Sequence, residues 1–582
     1  MDNHPVTIED IKRIVPFSQG STEVFKTGQW SPHKPVYVEK LSPCREACPA
    51  GNDIPGVLAL VAEGEFDRAL ELILQENPLP GICGRVCYHP CQKQCNRGQF
   101  DEAVEIRALE RSLADYGSAN PELSSAGLAK GIAVVGSGPA GLAAAYFLAR
   151  FGHKVTIYER NQEPGGVLRY GIPDYRLPKD VVKREIDRIL QLGVDLKTGI
   201  NVDRKMLTDM KSLYDSLFLS VGAWAPRTLG LAGEAISEIL HGLEFLYKAK
   251  RDGVCTGKKH IVIIGGGDVA VDVARTAARL SDIGTRITMV APEKLGEFPA
   301  IPEGIVAAEE EGIKVVGGYR PVEFTGNGSL KQARFVRTKV QKDPTTGIYK
   351  MLPAGGKGLS LEANLVVIAI GQLPELDPFT AEILEDNGLK VYIDEFGMTP
   401  LAGLYAGGDL VKQRPAVVDA IAAGKRAAIA IDAGSREIDP AKIFSSFRLG
   451  NGPSLSAQVY RGDSKIDVHR VVQFSELNTL PYRKSLPHLG QKVSPKSRTR
   501  DFEEVNKGLD RASAIEEAKR CFYCGTCIGC DLCFLLCPDL SILKTGFKNY
   551  DVIADYCKGC SQCATTCPRH VIEMGQTLGG GR

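Results

Sequence analysis

The chain has almost no net charge. Its 71 lysines and arginines face 70 aspartates and glutamates, leaving +1 over 582 residues. That balance lacks the basic field on which nucleic-acid binding rests. Long unbroken apolar runs are missing as well. Gly131–Ala149 carries no charge and is long enough to cross a bilayer, but Gly136, Gly138, Pro139 and Gly141 interrupt it. Breakers at that density read as a strand, a tight turn and a buried helix. The opening stretch MDNHPVTIEDIKR holds no apolar signal segment. The expectation is a cytoplasmic protein with neither a nucleic acid nor a membrane as partner. Hydrophobic content of 43% and charged content of 24% are ordinary for a soluble globular chain. At roughly 150 residues per domain, the length predicts about three to five units.

Cysteine, by contrast, is plentiful. The 17 cysteines form two groups, Cys44–Cys95 and Cys521–Cys567, with Cys255 alone between them. In a reducing compartment such clusters are metal or iron–sulfur ligands rather than disulfides. Cys527, Cys530, Cys533 and Cys537 stand at C-x2-C-x2-C-x3-C-P, and Cys557, Cys560, Cys563 and Cys567 repeat the pattern. Three thiolates on one tight loop hold three corners of a [4Fe–4S] cube, and the fourth comes from the other repeat. The spacing predicts one cluster on Cys527, Cys530, Cys533 and Cys567, and another on Cys557, Cys560, Cys563 and Cys537. A pair of structural zinc sites would rarely crowd four cysteines so closely, or place a proline after the last.

Between the cysteine groups lie two dinucleotide-binding signatures. KGIAVVGSGPAG carries an apolar strand into Gly136, Gly138 and Gly141, and a helical run follows. The glycines permit the turn, the approach of a pyrophosphate, and close packing of helix on strand. The helix start, with Pro139 and Ala140, offers free N–H groups to phosphate oxygens. A second strand ends at Glu159, placed to bind ribose hydroxyls. HIVIIGGGD repeats the device at Gly265, Gly266, Gly267 and Asp268. Two such folds in one chain predict FAD and a nicotinamide nucleotide, NAD(H) or NADP(H).

These motifs, together with CGRVCYHPCQKQC at Cys83–Cys95, GGVLRYGIPDYRLPK at Gly165–Lys179 and LYAGGD at Leu404–Asp409, resemble a known family. It contains the small subunit of bacterial glutamate synthase and the N-terminal half of dihydropyrimidine dehydrogenase. The resemblance covers about Leu41 to Asp432; the fused ferredoxin tail departs from the glutamate synthase small subunit. It implies an α/β architecture in which a nicotinamide domain is inserted between two flavin-binding segments, preceded by a helical iron–sulfur domain. It adds Gly166, Arg176, Gly371, Gly408 and Asp409 to the cofactor-binding set, Asp409 on the ribitol. The expected layout is a helical iron–sulfur domain at 1–127, flavin segments at 128–255 and 371–436, and a nicotinamide domain at 256–370. A linker at 437–520 and a two-cluster ferredoxin domain at 521–582 complete it.

The family places two clusters on its N-terminal cysteines. Carried over residue by residue, one would use Cys48, Cys87, Cys91 and Glu110. The other would keep Cys44 and Cys95 and lack two ligands, because no C-x-x-C precedes Cys44. EEAKRCFYC, just before the ferredoxin motif, resembles that missing opening and offers Cys521 and Cys524. The resulting expectation is four clusters, with Cys83 and Cys255 left over. The simpler alternative leaves Cys521 and Cys524 as spare thiols. Family members that use NADPH carry an arginine pair after the second nicotinamide strand; here Pro292 and Glu293 stand there. A carboxylate repels a 2′-phosphate and accepts from a free 2′-hydroxyl, which favours NAD(H).

Asn478–Arg500 has six basic residues and no acidic one. We read it as linker surface in preference to a docking strip for an acidic partner. The function expected is electron transfer between NAD(H) and ferredoxin or another low-potential redox subunit, within a homodimer or a hetero-oligomeric complex. The rivals are a glutamate synthase small-subunit-like component oxidising NADPH, and a non-catalytic assembly subunit. No side chain is required as nucleophile or general acid.

Overall fold

The structure, a computed structural model, describes residues 26–120, 129–252, 254–342, 349–377, 381–385, 388–464 and 466–576. The opening stretch Met1–Arg13 and the boundary set at residue 127 lie outside them. The chain divides into two compact units. One comprises Met1–Lys40, Val472–Arg483 and Phe522–Arg582; the other comprises Leu41–Val471 and Lys484–Cys521.

The larger unit begins with short helices. Ile54–Ala62 and Phe66–Ile73 are two helices parted at Gly64 with φ +83°, and Ile106–Tyr116 is a further helix, as the helical domain expected at 1–127 requires. A five-stranded parallel sheet follows, in the spatial order Leu404–Ala406, Ser216–Leu219, Gly131–Val135, Lys154–Tyr158, Asp195–Lys197. Its first strand is drawn from far along the chain, so the intervening nucleotide domain is an insertion. The helix Val417–Ser435 then packs on Pro139–Arg150. Gly424 makes this possible, since a Cβ there would stand 2.2 Å from the Ala140 carbonyl oxygen.

The inserted sheet runs Lys314–Gly317, Arg286–Ala291, His260–Ile264, Leu365–Ile368, Ile239–His241, all parallel. The last strand and the helix Gly242–Asp252 precede residue 256. The nicotinamide fold therefore starts earlier than its glycine motif suggests. Phe245 and Ala249 of that helix share one core with Ile261, Ile263 and Ala274.

The segment expected as a linker is folded. It holds the helices Pro440–Phe447, Ala457–Arg461 and Arg511–Lys519. Arg498, within the basic stretch, is 6% exposed and donates to Glu310 at 2.6 Å. Its charge is spent inside the unit, whereas Lys492, Lys496 and Arg500 are exposed.

The smaller unit carries the two C-terminal cysteine repeats, a hairpin of Ile542–Gly546 and Asn549–Val552, and a second antiparallel pair. In that pair His33–Tyr37 lies against Ile572–Gln576, with Tyr37 opposite Ile572. Residues 26–40, expected with the N-terminal helices, thus complete a sheet at the other end of the sequence. Their short apolar run Pro35–Val38 finds its partner there. Tyr37 also stacks on Tyr550 at 5.7 Å.

Candidate functional site

The flavin-type loop is built around Glu159. Its carboxylate is 4% exposed and accepts from Ser137 N–H at 3.0 Å, Ser137 Oγ at 2.5 Å, and the backbone and side-chain N–H groups of Asn161, each at 2.8 Å. Ser137 Oγ in turn accepts from Gly165 N–H at 3.1 Å. One buried carboxylate thereby fixes the first glycine loop and the second, Gly165–Gly166. A Cβ on Gly141 would stand 2.0 Å from the Gly136 carbonyl oxygen, so only glycine fits. At Gly138 a Cβ would meet nothing within 4 Å. That open space above a helix N-terminus fits a pyrophosphate. Pro139 and Ala140 form the first turn of that helix, and Gly408, with φ +72°, lies against Ala140. Burial pushes the Asp409 carboxyl up, with the Lys390 ammonium pulling the other way. Such an acceptor suits ribitol hydroxyls.

Arg176, expected among the cofactor groups, donates to Asp272 at 2.7 Å. Asp272 lies on the nucleotide-domain helix Asp268–Leu280, so this pair joins the two folds. The neighbouring Tyr175 ring takes the Arg279 guanidinium at 3.8 Å. Gly371, with φ +106°, accepts from Arg227 N–H on the return to the flavin fold.

In the nucleotide loop, Gly265 has φ +142°, and Gly267 faces open space. Asp268 accepts from Ile301 N–H at 3.1 Å. Glu293 extends back over the loop: a Cβ on Gly266 would be 3.0 Å from its Oε2. That oxygen is buried without a hydrogen-bond partner among the described residues, and burial pushes the carboxyl up. A buried acceptor over a glycine loop fits the hydroxyls of a ribose.

The N-terminal cysteines are crowded. Burial pushes the Cys48 thiol up to about 11, and Glu110 adds to the rise. Cys87 is raised by burial, Glu110 and Cys48; Cys91 by burial, Cys48, Cys87, Glu110 and Cys44. The expected set of Cys48, Cys87, Cys91 and Glu110 is therefore drawn together. Glu110 itself is raised to about 8 by burial and accepts from Asn77 at 2.8 Å and Asn52 at 3.2 Å. Without a cation among them these thiols and Glu110 hold their protons; a cluster's iron would supply the positive charge that lets them ionise. The leftover Cys83 is buried beside them, and Cys255 lies in the nucleotide-domain core.

The helix Arg511–Lys519 packs on Ile54–Ala62 and Ile106–Tyr116 in the same unit. Buried Glu517 accepts from Glu105 N–H at 2.9 Å and from Arg520 at 2.7 Å. Arg97 donates to the Arg520 carbonyl at 2.8 Å; burial pushes the Cys95 thiol up, with backbone hydrogen bonds and then the Arg520 cation pulling the other way. Cys521 follows directly and belongs to the unit that holds Cys44 and Cys95.

In the smaller unit two cavities open. One, of about 320 Å³, is lined by Cys527, Cys530, Cys533 and Cys567. The other, of about 290 Å³, is lined by Cys557, Cys560, Cys563 and Cys537. Each cavity is thus lined by three cysteines of one repeat and the last cysteine of the other.

Residues 130–424 match the pyridine nucleotide-disulphide oxidoreductase family, and residues 39–121 match domain II of dihydropyrimidine dehydrogenase, a 4Fe-4S cluster domain. The chain belongs to the pyridine nucleotide-disulphide oxidoreductase family. It is 32% identical to the NADP(+)-dependent formate dehydrogenase subunit beta of Moorella thermoacetica, over 83% of this chain and 70% of that one. It is 31% identical to the NADPH-Fe(3+) oxidoreductase subunit beta of Geobacter sulfurreducens strain PCA, over 84% and 76%. It is 35% identical to the NAD-dependent dihydropyrimidine dehydrogenase subunit PreT of Salmonella typhimurium, over 67% and 90%. As a pyridine nucleotide-disulphide oxidoreductase with iron–sulfur domains, the chain is an FAD- and iron–sulfur-dependent NAD(P)H oxidoreductase subunit. Among the described residues, no helix is long and apolar enough to cross a membrane.

Sequence reasoning missed three contributors. Ser137 sits inside the glycine motif, where only its hydroxyl hinted at a role. Lys425, buried in the late flavin helix, donates to Glu76 at 2.7 Å and to the Ala50 carbonyl, tying that helix to the cysteine domain. Lys34 donates to the carbonyl of Cys557 at 2.8 Å. The last two depend on contacts hundreds of residues apart.

Proposed function

We propose that the chain moves electrons between NAD(H), in preference to NADP(H), and ferredoxin or another low-potential redox subunit. The observation that carries the redox path is the pair of cavities, each lined by three cysteines of one repeat and one of the other. When bound, FAD supplies the exchange between hydride and single electrons, and each [4Fe–4S] cluster carries one electron at a time. The chain's own part is position and potential. The Glu159–Ser137 network fixes the pyrophosphate loop, and Asp409 offers the acceptor for the ribitol. Cys530 and Cys560 are exposed, so each cavity has a face toward solvent where a partner could dock.

The preference for NAD(H) rests on Glu293. An unpartnered buried carboxylate welcomes two ribose hydroxyls and repels a phosphate at the same place. Two relatives carry NADP or NADPH in their names and one carries NAD, so the family does not decide the matter. Rapid mixing of the anaerobic protein with NADH or NADPH tests it. Faster flavin bleaching by NADH at equal concentration is expected; faster bleaching by NADPH would overturn it.

The ligand sets we infer are four. Two fill the crossed cavities. A third uses Cys48, Cys87, Cys91 and Glu110. The fourth uses Cys44 and Cys95 with the C-x-x-C pair Cys521 and Cys524. The return of helix Arg511–Lys519 onto the N-terminal helices accounts for Cys521 falling in the unit of Cys44 and Cys95. Anaerobically purified protein should contain about sixteen irons, four per cubane. A stable value near eight would reject both N-terminal clusters.

A further inference from the structure

The two C-terminal repeats are alike in their cysteines and unlike just after them. The first continues Cys537-Pro538-Asp539-Leu540, the second Cys567-Pro568-Arg569-His570. At the same place in the repeat, one half has a carboxylate and the other a guanidinium. Because the repeats cross, Arg569 lines the cavity of Cys527, Cys530 and Cys533, and Asp539 lines the cavity of Cys557, Cys560 and Cys563.

Arg569 is 7% exposed, and its Nη1 donates to Cys530 Sγ at 3.2 Å. No carboxylate among the described residues forms an ion pair with it, and its Nε is buried without a partner. Its guanidinium also lies over the Tyr523 ring at 5.6 Å, and its carbonyl accepts from Gly525 N–H at 2.9 Å. A buried, uncompensated cation therefore stands between Cys530 and the segment that carries Cys524.

We infer that Arg569 is the residue that raises the reduction potential of the cluster held by Cys527, Cys530, Cys533 and Cys567. This rests on the reading of those cysteines as cluster ligands. Reduction adds a negative charge to the cluster, and a charge-assisted N–H···S bond from a buried guanidinium stabilises that charge, with solvent screening it only from the exposed side of Cys530. Other charges near this cavity are weaker candidates. Glu39 accepts from Cys527 N–H at 3.3 Å, but it is exposed and screened. Asp531 is neutralised by Lys544 at 2.8 Å. The second cavity is served differently. Asp539 pairs with Lys558 at 3.3 Å, Ser541 N–H donates to Cys537 Sγ at 3.3 Å, and Lys34 gives its protons to three carbonyls. The two clusters are thus tuned by separate residues, and a change at Arg569 should act on one of them alone.

The test is an EPR-monitored redox titration of the full-length protein, purified anaerobically, with iron counted in every sample. In Arg569→Gln, which keeps an N–H donor and removes the charge, one [4Fe–4S] midpoint should fall while the others hold. Arg569→Lys, which keeps the charge and loses the planar fork, should lower the same midpoint by less. Asp539→Asn should raise a different one. Unchanged midpoints at full iron content, a common fall of all centres, or one signal responding to both Arg569 and Asp539 would each overturn the inference. If the Gln variant loses iron, the Lys variant decides by the same criteria. A wild-type protein without the irons of the two crossed cavities would instead sink the reading of the ligands.

Discussion

In the C-terminal repeats, each cavity takes three cysteines from one tight loop and a fourth from the neighbouring loop, all within the last stretch of chain. The N-terminal cysteines are arranged otherwise. Cys44 lies in a five-residue helix that Cys48 caps, Cys87, Cys91 and Cys95 follow another, and Glu110 comes from a third. Their surroundings are completed by residues 484–521, which return from the far side of two nucleotide folds. The first region carries its pattern in local spacing. The second depends on tertiary structure, and its cysteines cannot be paired by spacing alone.

The sharpest test of this contrast is to cut the return. Replacing Cys521 and Cys524 together by serine should remove about four irons, one cubane's worth. Replacing Cys44 and Cys95 should remove the same four, and all four changes together no more. If the two double variants lose different clusters, or the first loses none, the N-terminal region is as self-sufficient as the C-terminal one. Next, Cys567→Ser should disturb the cluster that the first repeat holds and spare the one held by Cys557, Cys560 and Cys563. Damage confined to the second repeat, seen by EPR of the two signals, would show that the repeats do not cross.

A smaller contrast separates the two nucleotide loops. Glu159 is saturated by its own chain, whereas Glu293 has a buried oxygen to spare. Glu159→Ala should lower flavin occupancy while the C-terminal clusters stay intact, because it releases Ser137 and Asn161 and with them the first glycine loop. Full flavin retention on dilution would count against it. Glu293→Gln should leave flavin in place and shift the NADH-to-NADPH preference toward NADPH by about tenfold, or about 1.4 kcal/mol. No shift would detach Glu293 from specificity. The smallest effect is expected at Arg498. Its partner Glu310 is about half exposed, so Arg498→Ala should cost about 1 kcal/mol or less. Faster hydrogen exchange over residues 495–508, with unchanged iron, would report that loosening.

Much of the α/β architecture was legible because its signals are local. Glycine motifs, the strands beside them and the acidic strand ends each lie within a few turns of chain. The cysteines that line each C-terminal cavity were legible for the same reason. The boundary at 256 was misplaced because Ile239–His241 is a three-residue strand with no motif, and it joins the nucleotide sheet only through Leu365–Ile368. The folded character of 437–520 was hidden because its helices are short and its partners, such as Glu310 and Glu105, come from other elements. Arg176 was counted among the cofactor-binding groups from its motif; its ion pair with Asp272 on the nucleotide fold was not legible, because the two residues lie on different folds.

The pairing of His33–Tyr37 with Ile572–Gln576 has a consequence for how the protein is made. About 535 residues separate the two strands. At about 5–20 residues per second of synthesis, the first strand waits roughly half a minute to two minutes for its partner to leave the ribosome. During that time it is an unpaired edge, and the lysine and proline it carries discourage wrong neighbours. The sheet beside the two C-terminal cavities therefore closes after the nucleotide folds have left the ribosome and had time to form.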